Sequence, residues 1–213
     1  MDTYGVTHLR DVERTRGGAP RHRGRAREER RSHRRDGRER SLAREAVVRT
    51  VTGAVAGAVA TLPMTIAMES MHRQLPFWER HSLPPRKITV RIARRLGFTP
   101  YLDASARTAA TLFGHFGYGA ACGATYALTR GRRAGAASGL AFGLLVWGGS
   151  YLGWLPATGL MRPATEWSRR RNLLMIAAHV VWGTCTGVAV RAMLADRESG
   201  DSARPHYAVE NEA

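Results

Sequence analysis

The chain has 213 residues, with 33 Lys+Arg against 17 Asp+Glu and a formal net charge of +16. Two cysteines exclude a disulfide-rich scaffold, and long apolar runs exclude a collagen-like or wholly disordered chain. A pI near 11.4 and a mean hydropathy of −0.30 suggest a soluble nucleic-acid binder, but the charge is too unevenly spread for that average to hold.

Residues 1–45 hold 14 Arg and 8 acids and almost no large apolar side chain. Such a segment buries too little to offset the entropy of ordering, so a disordered Arg-rich tail is expected. One reading is an arm that binds nucleic-acid phosphates without sequence preference. The other is a basic arm on anionic lipid, or simply solvated. The interleaved acids and the lack of an aromatic platform favour the second, so no nucleic-acid partner is expected. No short apolar core follows the charges, so the segment does not read as a cleavable or twin-arginine signal.

Four uncharged runs follow, at residues 51–68, 108–129, 134–161 and 172–190, each bounded by Arg or Glu. Each is long enough for a membrane helix, which needs about 20 residues. The expected fold is therefore all-α and polytopic. Four transmembrane helices, at about 48–70, 107–129, 134–156 and 172–191, make a domain over 46–192, with a C-terminal tail at 193–213. The runs are rich in Gly, Ala, Thr and Ser, which suits helices packed closely on one another. Counting Lys and Arg by side gives 21 on the side of the N-terminus and 12 on the other. The expected topology is N-in and C-in.

The first long loop contains KITVRIARRLG, with Ile88, Ile92 and Leu96 at i, i+4 and i+8 and Arg91, Arg94 and Arg95 mostly opposite. An amphipathic helix over about 86–97 is expected, lying in the headgroup plane or packed on neighbouring loops. The expected partners are the lipid bilayer, anionic headgroups at the tail and this helix, and a second copy of the chain.

Spans two and four repeat one pattern. His115, Tyr118, Gly119 and Gly123 correspond to His179, Trp182, Gly183 and Gly187 at an offset of 64. Spans one and three match more loosely, Gly53/Gly57 with Gly139/Gly143 at an offset of 86. Two hairpin-like repeats are expected, with the four G-x-x-x-G pairs as packing faces.

Ionisable groups inside a span tend to face the bundle interior. His115 and His179 thus form a candidate polar site with Glu69 and His72, which make one Glu-x-x-His motif at the end of the first span. As a pair, the histidines suit a proton relay. As packing elements they would hydrogen-bond between helices, and this reading is preferred. A carboxylate-bridged di-metal centre needs two such motifs and further glutamates. No metal, cofactor or catalytic residue is expected. Glu69 is expected to pair with Arg107 or Arg73, and Pro63 to kink the first span.

GAVAGAVAT, the extended loop, GHFGYGAACG, GLAFGLLVWGGSYLGWLP and AAHVVWGTCTGVAVR together resemble the YagU-like family of bacterial inner-membrane proteins. The resemblance covers about residues 46–192. It implies a four-span inner-membrane protein and carries over no catalytic residue. The expected role is non-enzymatic, in envelope or pH homeostasis. The alternative is a small transporter or proton/ion conductor using the intramembrane histidines.

Overall fold

The computed structural model describes residues 20–80, 83–98 and 103–202, with side chains from residue 32. Among the described residues there are six α-helices: α1 (Pro20–Arg73), α2 (Pro84–Arg95), α3 (Ala104–Arg130), α4 (Ala136–Gly148), α5 (Leu155–Ala157) and α6 (Arg169–Ser202). Among the described residues there is no strand.

The chain divides into two units, residues 1–45 and 46–213. The first is expected to lack a core, and where it is described, from Pro20 onward, its backbone is helical. Residues 1–19 lie outside the described residues. Arg, Glu and Ala are good helix formers, and Arg35 pairs with Glu39 one turn on, Nε to Oε1 at 3.2 Å. The described side chains from Ser32 to Glu45 are all exposed. This helix therefore rests on local propensity and not on a core.

The second unit inverts the usual order of a soluble fold. On α1 the large apolar residues point outward: Val51, Val55, Val59, Leu62 and Ile66 are 46% to 66% exposed. The buried positions between them are Thr52, Gly53, Ala56, Gly57, Ala60 and Thr61. A contiguous outward apolar stripe is a surface made for a non-aqueous neighbour. Among the described residues, three helices are long and apolar enough to cross a membrane: Ser32–Arg73, Ala136–Ala157 and Arg169–Arg197. The helix expected as the second span, α3, has 27 residues but is not among the three. Its Gly, Ala, Thr and His residues lower its hydropathy without shortening it.

The helices pack in two glycine-lined pairs. In the first, a Cβ on Gly123 would lie 2.8 Å from Gly57 Cα and press on the Gly53 carbonyl. In the second, a Cβ on Gly183 would lie 2.8 Å from Gly143 Cα and press on the Gly139 carbonyl. Only hydrogen fits at such points, so α1 meets α3, and α4 meets α6, backbone against backbone. All eight glycines of the G-x-x-x-G pairs have their close neighbours within the chain. These faces are thus occupied within the chain.

The contacts also correct the repeat. Gly123 meets the Gly53 carbonyl, whereas its counterpart Gly187 meets that of Gly135. Gly119 approaches the Gly57 carbonyl, and Gly183 that of Gly139. Gly53 and Gly57 are therefore equivalent to Gly135 and Gly139, at an offset of 82 and not 86. A slip of four residues leaves nearly the same helix face exposed, so the two alignments look alike until the facing carbonyls are known.

The segment expected as the third span is not a continuous α-helix. After Gly148 it widens into a π-helical turn over Gly149–Trp154, with Gly153 at φ −108° and ψ −106°, before α5. Gly159, at φ +65°, then turns the chain. α2 begins two residues earlier than expected, because Pro84 and Pro85 occupy the first turn, where a missing N–H is not needed. α6 continues past the expected end of the fourth span to Ser202, and residues 203–213 lie outside the described residues.

Candidate functional site

Where the two helix pairs meet, they enclose a cavity of about 220 Å³. Its walls are mostly apolar: Met64 and Met68 from α1, Val146 from α4, Leu155 from α5 and Met175 from α6. His115 and His179 both line it, so the repeat brings the two imidazoles to one space. Their surroundings differ. His179 is 6% exposed, and its Nδ1 lies 2.7 Å from the Met175 carbonyl. The ring stands edge-on to Tyr151, with centroids 5.8 Å apart. His115 Nε2 is buried with no hydrogen-bond partner among the described residues.

Glu69 and His72 are not part of this wall. Successive helix residues turn about 100°, so with Met64 and Met68 facing inward, Glu69 is carried outward. Its Oε2 lies 3.9 Å from Arg73 NH2, one of the two partners expected for it. The four residues expected to form one polar site are thus divided, the histidines at the cavity and the Glu-x-x-His motif outside. Among the described residues, no three His, Cys, Asp or Glu side chains gather as metal ligands.

Two further residues at the cavity, Ser150 and Tyr151, were not singled out from the sequence, and Trp182 entered there only as the aromatic position of the repeat. The π-helical turn buries Ser150 and Tyr151, at 4% and 5% exposure. Ser150 Oγ lies 3.0 Å from the hydroxyl of Tyr118 on α3. Trp182 Nε1 donates to the Gly57 carbonyl at 3.0 Å. The Gly148-Gly149 pair followed by Gly153 was the available signal for a break in the third span, since π-turns occur where a helix is locally adjusted, often at functional sites.

The loop helix α2 covers one side of the cavity with Ile88, Thr89 and Ile92. Part of the apolar face expected to lie among headgroups is therefore turned onto the bundle, while Leu96 is 63% exposed. Two arginines fasten α2 to the segment after α5. Arg91 NH1 donates to the Leu160 carbonyl, and Arg95 NH1 to that of Thr158 at 2.7 Å.

The fold and its exterior define the class: a protein that is all-helical over its described residues, three of whose helices are long and apolar enough to cross a membrane. No family model, no curated protein and no solved structure matches this chain.

Proposed function

We propose that the chain is a four-span protein of the bacterial inner membrane, with both ends on the cytoplasmic side, that binds a small amphiphilic molecule in the cavity between its helix pairs. In this reading α3 is the remaining span, admitted because its small residues pack against α1 and little of its backbone meets lipid. The resemblance to the YagU-like family belongs to the same proposal and rests on the motifs quoted above. The role is binding in envelope homeostasis, without bond-making by the protein.

One observation carries the reading. His115 Nε2 is buried and unpartnered on the wall of a mostly apolar cavity. A buried polar atom left without a partner is costly, and a molecule with an apolar body and one polar group relieves that cost. A photoactivatable long-chain alcohol in proteoliposomes tests it. Crosslinks at Met64 and Met175 that fall in His115→Phe support the reading. Crosslinks confined to the outward Val51, Val55 and Val59 stripe overturn it.

The shared cavity also favours a second reading, proton or ion conduction through His115 and His179. Vesicles holding the protein then show a pH- or ion-dependent flux that disappears in the double variant His115→Ala/His179→Ala. No flux, or full flux in that variant, removes the second reading.

A further inference from the structure

A second pocket, of about 400 Å³, lies between α2 and the segment leading into α6. Its character is opposite to that of the first. Lys87 and Arg91 enter it from α2, and Arg162 and Arg171 from the far side; the acids in its wall are Glu79 and Glu166. Both acids already have neighbours. Glu79 Oε2 accepts from Ser168 Oγ at 2.8 Å, and Glu166 Oε2 lies 3.6 Å from Arg162 NH1. Arg171 stacks over the Trp167 ring, its Cζ 4.9 Å from the centroid. For the Lys87 ammonium, no carboxylate lies at ion-pair distance among the described residues. Burial, then the charges of Arg171 and Arg91, hold its pKa below the usual lysine range.

Like charges gathered in a concave site repel one another, and the arrangement is stabilised when an anion enters. The geometry favours a particular anion. Two guanidinium groups and an ammonium, brought in from two sides, match a group with three terminal oxygens better than a two-oxygen carboxylate. The start of α6 adds the positive end of a 34-residue helix.

We propose that this pocket is a phosphoryl-binding site, with Lys87, Arg91 and Arg171 as its cations and Arg162 at its rim. The phosphoryl group belongs either to free phosphate or to the headgroup of an anionic lipid. The site shares α2 with the apolar cavity but does not depend on that cavity's being occupied.

The sequence supplies the probe, since Lys87 is the only lysine in the chain. The full chain is reconstituted in phosphatidylcholine nanodiscs, and the rate of Lys87 acylation is followed by peptide mass mapping. The comparison is between inorganic phosphate, acetate at matched ionic strength, and nanodiscs containing phosphatidic acid. Saturation at about ten times Kd slows labelling about tenfold. Protection by phosphate identifies a free-anion site, and protection only in phosphatidic acid nanodiscs identifies a headgroup site. Equal protection by acetate, or none by any addition, overturns the proposal. Glu166→Gln removes a competing carboxylate and is expected to strengthen protection, a gain that misfolding cannot imitate. Weaker protection in that variant also counts against the site. Arg91→Gln is expected to abolish protection, with its unprotected Lys87 labelling rate and circular dichroism as the check that it folds. Full protection in a folded Arg91→Gln protein overturns the assignment.

Discussion

Trp182 on α6 donates its indole N–H to the carbonyl of Gly57 on α1, 3.0 Å away, and so joins the two helix pairs. That carbonyl also accepts from Thr61 Oγ1 at 2.8 Å. A carbonyl has two lone pairs and can take both bonds. The tryptophan reaches it because the Gly57–Gly119 contact removes the side chains that would stand between: a Cβ on Gly119 would lie 3.5 Å from Trp182 Nε1. The same ring packs against Phe142, centroids 6.2 Å apart, and Phe142 against Tyr126 at 5.2 Å.

Removing only the donor is therefore expected to be mild. Trp182→Phe leaves Gly57 O with Thr61 and should destabilise the bundle by about 0.5–1.5 kcal/mol. Trp182→Ala empties a site that is 2% exposed and should cost about 3–5 kcal/mol. Unfolding in mixed detergent micelles measures both. Equal losses in the two variants would show that the hydrogen bond, not the ring, holds the pairs together.

The glycine contacts predict a sharp difference between neighbours on one helix. Gly123→Ala forces α1 and α3 apart, because backbone atoms and not flexible side chains stand in the way. A loss of about 1–3 kcal/mol is expected. Gly117→Ala on the same helix meets nothing within 4 Å and should gain up to about 1 kcal/mol from helix propensity. The leucine double variant at Gly119 and Gly123 should prevent the pair from assembling, as read by loss of the folded fraction in the same micelles.

The outward stripe of α1 should meet lipid. In a background with Cys122 and Cys185 replaced, nitroxides at positions 55 and 56 test this by oxygen-collision measurements in bilayers. Val55 is 46% exposed and Ala56 1%. High oxygen access at 55 and low access at 56 are expected, since oxygen concentrates among acyl chains. The reverse order would place that face against protein.

The start of α3 carries a local pH dependence. Asp103 Oδ1 accepts from the Ala106 amide at 2.7 Å and from Ser105 Oγ at 2.8 Å. These bonds hold its carboxyl below the usual aspartate range. The cap's contribution is then fully present above the ordinary aspartate pKa and fades as pH falls through the lowered folded value. Hydrogen exchange at Ala106 and Arg107 should accelerate there relative to the rest of α3. Asp103→Asn keeps an N-cap acceptor and should remove the pH dependence.

Much of this architecture is legible in the sequence, because it depends on local chemistry. The uncharged runs, the Arg borders, the period of Ile88 and Ile92 and the four-residue glycine spacing are each fixed by residues close together in the chain. The charged composition of the first 45 residues likewise announces a segment without a core, and its described side chains, from Ser32 to Glu45, are all exposed. The third-span glycines at 135, 139 and 143 admit two alignments with Gly53 and Gly57. Composition cannot separate a pairing from its one-turn slip.

The candidate site was legible only in part. A shared pattern placed His115 and His179 at matching points of two helices. It could not say that α1 would turn Met64 and Met68 inward and carry Glu69 out to Arg73. Ser150 and Tyr151 reach the wall because a π-turn rotates the end of the third span, a change of helical phase with no simple sequence period.

By itself the +16 chain determines its borders: a charged arm, uncharged helices, and arginines where those helices end. Tertiary structure alone decides what the remaining charges and polar groups face. Backbone contact at the glycines sets the register of each pair. The closed helix pairs leave His115 Nε2 without a partner beside one cavity, and α2, laid against the segment leading into α6, brings Lys87, Arg91 and Arg171 around another. These juxtapositions join residues far apart in the chain, so no local period or composition announces them.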